Sequence, residues 1–135
     1  MVKSAKGKAL NTKRYAPRKV RHQAKANAVD VRQIVKDLRP ISPEIRYTNC
    51  FEAEQFTSGL IAFRPQTISR AKQINHHDKD VVCHVIKGRG RLRLKRRRIE
   101  LRPGMICHIP KGTPHDFAAG KSGELVLFYS LIKTA

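Results

Sequence analysis

The sequence predicts an all-β domain of the double-sheet sandwich or barrel class, preceded by a basic tail and one short helix. Three observations carry this reading. From Ile41 onward, apolar and polar residues alternate in short runs, the period of a half-buried strand. Turn-forming clusters separate those runs at short intervals. Residues 1–25 hold nine Lys or Arg and no acid, a composition that buries too little apolar surface to offset chain entropy.

At 135 residues the chain has the length of one domain. The division expected is a basic N-terminal extension over 1–40 and a β domain over 41–135. The extension carries a short helix near 28–38. Val31, Ile34, Val35 and Leu38 fall at helical spacing, Asn27 or Asp30 can cap the start, and Pro40 ends it. Its apolar stripe should pack on the β domain or on a partner.

The strands follow in order as Glu44–Tyr47, Ser58–Phe63, Thr67–Gln73, Val81–Lys87, Arg89–Lys95, Ile99–Leu101, Met105–Ile109 and Glu124–Leu131. Between them lie Arg64-Pro65, Gly88 with Gly90, Arg102-Pro103-Gly104, Lys111-Gly112 and the stretch from Gly120 to Gly123. No internal repeat is visible.

The formal charge of +19 predicts a polyanionic partner, nucleic acid above all. The longest apolar run, Leu125 to Ile132, is far too short to span a bilayer, so no membrane is expected. The N-terminus lacks the apolar segment of a secretory signal. Cys50, Cys83 and Cys107 are odd in number and have no CxxC spacing, which suits reduced core thiols in an intracellular, cytoplasmic protein. The Arg-rich, acid-free start leaves an organelle as the alternative compartment.

Two segments concentrate the charge. In the tail, Lys3, Lys6, Lys8, Lys13, Arg14, Arg18, Lys19, Arg21 and Lys25 form either a solubilising tail or an arm that folds onto a phosphate backbone. Tyr15 and His22 among them could stack on unpaired bases. In the second segment, Lys87, Arg89, Arg91, Arg93 and Lys95 recur every second residue, with Leu92 and Leu94 between. Period two sends the cations to one sheet face and the leucines to the core. Arg96, Arg97 and Arg98 then crowd the turn, Arg102 follows, and Glu100 is the local counterion. The plain reading is a solvated strand face; the functional one is a phosphate-binding patch, since the Arg fork meets phosphate oxygens two at a time.

Chemistry-bearing residues cluster in two phrases. One runs from Asn75 through His76, His77 and Val81-Val82-Cys83-His84-Val85-Ile86 to Gly88. The other sets Gly104, Pro110, Gly112 and His115 at fixed spacings. Over about Ser58 to Leu131 these phrases resemble the two motifs of the cupins, small barrels that often hold a metal. The resemblance implies a cupin-type double-sheet jelly-roll barrel. In metal-binding cupins the first motif supplies two His and a Glu, and the second one His. Here the Glu position falls on Val81, and the two His positions fall on Asn75 and His77, or on Ile74 and His76. His115 stands at the last.

The resemblance therefore implies His77, His115 and His76 as the candidate metal ligands, an incomplete set for a divalent transition metal. Asp80 joins only if the strand register slips by one. His84 should face the other side of the sheet from Val81 and Cys83. No catalytic residue is expected; no cofactor is expected either, with a divalent transition metal as the alternative. The leading expectation is a non-enzymatic, nucleic-acid-associated cupin, with RNA in a ribosome-like assembly preferred because the tail's composition looks like ribosomal protein extensions. A metal-dependent small-molecule enzyme of dioxygenase or isomerase type is the alternative, and a ligand-sensing cupin the third reading. Cupins frequently pair, so a homodimer through the apolar Leu125–Leu131 strand belongs to the expectation.

Overall fold

The computed structural model describes residues 26–65 and 76–134. The cationic tail from Lys3 to Lys25, the predicted strand Thr67–Gln73, Ile74 and Asn75 lie outside the described residues.

Asp30 caps a single turn of helix, α1 (Val31–Ile34), its carboxylate accepting from the Arg32 N–H at 2.9 Å. A 3-10 turn, Val35–Asp37, follows. The helix is thus shorter than the sequence pattern suggests, yet its stripe is used. Val31, Ile34, Val35 and Leu38 pack with Leu60, Ala62 and Val126 against one face of a sheet.

Nine strands follow among the described residues: β1 (Arg39–Pro40), β2 (Ile45–Glu52), β3 (Phe56–Phe63), β4 (Lys79–Lys87), β5 (Gly90–Arg93), β6 (Arg98–Leu101), β7 (Ile106–Ile109), β8 (Asp116–Ala119) and β9 (Leu125–Lys133). They form two antiparallel sheets, ordered β1-β2-β3-β9-β4-β7 and β6-β5-β8. The core lies between them. Phe63, Val81, Cys83, Val85, Cys107, Ile109, Leu125 and Leu127 of the larger sheet meet Leu92, Leu101 and Phe117 of the smaller. The Phe63 and Phe117 rings bridge the layers with centroids 5.5 Å apart.

The run Leu125-Val126-Leu127 has a local cause. β9 is central, paired with β3 on one side and β4 on the other. Leu125 and Leu127 face the core, while Val126 faces the layer under α1, so all three are buried. A strand covered on both faces reads as continuously apolar. The apolarity is accounted for within the chain.

Three of the differences from the sequence pattern have a clear physical reason. β2 continues to Glu52, past a register shift between Asn49 and Phe51 that breaks the alternation. Pro40 does not stop the helix but sits in the edge strand β1, where a missing N–H is tolerated. The strand β8 was absent from the pattern, because Asp116-Phe117-Ala118-Ala119 offers neither alternation nor β-branched residues.

Candidate functional site: the barrel histidines and the basic hairpin

His115 enters the core just before β8 and is 4% exposed. Its Nδ1 lies 2.8 Å from the Thr113 carbonyl oxygen. A carbonyl only accepts, so Nδ1 is the donor here. The Phe117 ring stands edge-on at 6.0 Å, and the His76 ring faces His115 with centroids 6.0 Å apart. The His76 carbonyl accepts from Gly112 N–H at 2.7 Å, which ties the first phrase to the second. Burial, then the neighbouring His115, pushes the His76 imidazole below its ordinary value. His77 is exposed at the surface. The structure thus brings His76 and His115 together and places His77 outside that pair.

The remaining candidates face away or carry no donor. Val81 is buried in the core, where the resemblance expects a carboxylate. Asp80 keeps the unslipped register and turns outward, accepting from His108 Nε2 at 2.8 Å and from the Lys111 N–H at 3.0 Å. His84 lies exposed on the outer face, opposite Phe128 and Ile106. Among the described residues, no group of three or more His, Cys, Asp or Glu is placed to hold a metal ion. Two imidazoles fall short of the three or four donors a transition metal takes, so the described residues do not fit that group.

One inward-facing row crosses the larger sheet as Asn49, Gly59, Tyr129, Cys83 and Cys107. The Tyr129 hydroxyl donates to Asn49 Oδ1 at 2.6 Å across the gap left by Gly59. Burial raises the Tyr129 phenol above its ordinary range. Tyr129 and Asn49 were not singled out by sequence. Alternation along β9 would have placed Tyr129 inward; Asn49 sits beside the register shift and gave no signal.

The second candidate is the hairpin of β5 and β6. The Leu94 N–H donates to the Arg97 carbonyl at 2.8 Å, which sets Lys95 and Arg96 at the corners of the turn. Leu92 is buried and Leu94 packs on the core, as period two requires. Lys95, Arg96, Arg97, Arg98, Arg102 and Arg89 are all exposed. The middle of the cationic face is different. Arg93 forks onto Asp116, with Nε to Oδ1 at 2.7 Å. Arg91 is half-buried beside Glu100 and Ala118, and its buried Nε has no hydrogen-bond partner among the described residues. Asp116 joins Glu100 as a counterion on this face, which is therefore mixed in sign along its middle and unmixed at its tip.

Comparison with known proteins agrees with this architecture. No curated protein matches the chain. Among solved structures, KdgF from Halomonas sp. superposes with a TM-score of 0.62 at 18% identity, covering 73% of this chain and 89% of that one. A cupin-2 domain containing protein from Shewanella frigidimarina gives 0.61 at 18% identity, over 78% and 94%. The iron(II) form of HppE gives 0.60 at 18% identity, over 66% and 50%. At such identities the likeness is one of fold, and the fold is the cupin jelly roll. A family model described as the AraC-like ligand binding domain matches residues 59–133. By that match, over strands that carry both phrases, the chain belongs to the AraC-like ligand binding domain family.

Proposed function

We propose that this chain is a non-enzymatic, nucleic-acid-associated cupin that meets phosphate backbone with the tip of its β5–β6 hairpin. The observation behind this is the run Lys95-Arg96-Arg97-Arg98, four consecutive exposed cations on one tight turn and the first residue of β6. Such a tip attracts polyanions through a term that does not depend on base sequence. RNA is the preferred partner, in a ribosome-like, intracellular setting. The one helix among the described residues is a single turn packed on the sheet, so none of them offers a helix to a DNA major groove. The cationic tail, outside the described residues, would add a second grip and raise affinity through effective concentration.

The test is RNA binding across a salt series with the full chain. Affinity should fall steeply with salt. Replacing Arg96, Arg97 and Arg98 together with Gln should lower the logarithmic salt slope by about 2 units, at ~0.7 per single-strand phosphate contact. An affinity that hardly changes with salt, or survives both that replacement and removal of residues 1–25, sinks the reading.

One observation favours a second reading, a ligand-sensing barrel. His115 is held in the core through Nδ1 with its ring beside His76, which leaves Nε2 as a polar atom for a hydroxyl-bearing small molecule, whose O–H can donate or accept. Ligand-dependent thermal stabilisation of the native protein, lost in His115→Ala, would support it. The metal-dependent enzyme reading receives no support from the described donors.

A further inference from the structure

Cys83 and Cys107 are direct cross-strand partners on β4 and β7. Both are free thiols, both are buried, and both belong to the core between the sheets. Opposed residues of an antiparallel ladder have Cα atoms about 4.5–5.5 Å apart. That lies inside the window of about 4.4–6.8 Å between the Cα atoms of disulfide-bonded residues. Cys50 packs in the layer under α1, on the opposite face of the sheet, so the sheet itself separates it from the pair.

We infer that Cys83 and Cys107 form an oxidisable dithiol, a modification site at which a disulfide ties edge strand β7 to β4 on the inner face of the barrel. With a small disulfide as oxidant, such as oxidised glutathione, the step balances. One protein thiolate attacks the oxidant's S–S bond and releases one reduced thiol. The second protein thiolate then displaces the other, forming the protein S–S bond. Two electrons and both thiol protons leave with the reduced oxidant.

The surroundings set the rate. Burial, and then the neighbouring Cys107, pushes the Cys83 thiol up to about 12, so its thiolate is scarce in the closed barrel. Attack requires β7 to open. That strand is four residues long and stands at the end of the larger sheet, with β4 as its neighbour. Opening an edge strand is a low-cost local event compared with unfolding the core. The bond forms slowly, and once formed it is shielded by the same burial. It also fixes the strand that leads into Pro110–His115, the turn holding His115 through Thr113.

The experiment uses the native full chain, equilibrated in oxidised glutathione, then denatured with excess maleimide. Mass analysis should show the loss of two hydrogens and a single maleimide, on Cys50. Peptide mapping should join the Cys83 and Cys107 segments, dithiothreitol should reverse the change, and the oxidised protein should melt higher. Cys50→Ser should oxidise in the same way, and Cys83→Ser should form no intramolecular disulfide. Three maleimides after equilibration, or links that run only through Cys50, would overturn the inference.

Discussion

Arg93 stands directly across the β5–β8 ladder from Asp116 and clasps its carboxylate with Nε at 2.7 Å and Nη2 at 3.2 Å. The Asp116 side chain is 8% exposed and that of Arg93 20%, so the pair is largely withdrawn from water. Replacing Asp116 by Asn keeps the volume and an acceptor but removes the charge. Thermal or urea denaturation should show a loss of about 1.5–3 kcal/mol, the range for charged hydrogen bonds. The same variant should bind polyanions more tightly, since it removes a negative charge and loosens the hold on a guanidinium.

A comparison of two arginines follows from the same clasp. Arg93→Gln should weaken RNA binding less than Arg97→Gln does, because the Arg93 fork is already engaged with Asp116 while Arg97 is exposed at the hairpin tip. Binding assays on the two variants at one salt concentration decide it. Equal losses would mean that only total charge matters, and that the tip has no special part.

Gly59 and Gly104 should tolerate alanine very differently. A Cβ on Gly59 would collide with the Thr48 carbonyl, and would stand 2.9 Å from both Asn49 Cα and the Tyr129 hydroxyl. Backbone cannot give way in mid-sheet, so Gly59→Ala should cost about 3 kcal/mol or more. Gly104 has a φ of +94° but nothing within 4 Å of its Cβ position. Its alanine variant should lose only the left-handed strain of about 1–2 kcal/mol. Denaturation midpoints of the two variants check both.

Most of the barrel was legible because periodicity and turn chemistry are local. Val81–Lys87 and Met105–Ile109 alternate cleanly, and Gly104 and Gly112 mark turns whose backbone is left-handed. What escaped depends on tertiary context. Asp116 reads as a loop acid until β8 pairs with β5 and sets it opposite Arg93. Spacing alone left His76 and His77 equivalent, since the motif admits either length. The bond from Gly112 to His76, closed across the fold, turned His76 toward His115.

Asp80 gives a pH dependence of known sign. Its bond from His108, and next that from the Lys111 N–H, hold its carboxyl below the ordinary value of 3.8. A carboxylate depressed in the folded state contributes stability that is present above 3.8 and is lost as pH falls through the folded value. Asp80→Asn should therefore melt below the wild type near neutrality, and the two curves should converge in strong acid. A gap that persists undiminished at the acid end would show that the contact acts through packing, not charge.

His76 has the opposite sense. Burial, followed by His115 and Lys79, lowers its value from the ordinary 6.5, and Asp78 offsets this in part. Above 6.5 the imidazole is neutral in both folded and unfolded chains and contributes no slope. As pH falls below 6.5 the unfolded chain takes up the proton first, so folded stability declines until the folded value is reached. His76→Gln, which cannot titrate, should lose less stability than the wild type over that interval. Removing the His115 ring should relieve one of the causes, so the His76 resonance in His115→Ala should titrate at higher pH than in the wild type. Should the His76 titration stay unmoved by that substitution, the two rings do not sense each other, and the pairing of the two phrases would be backbone deep only.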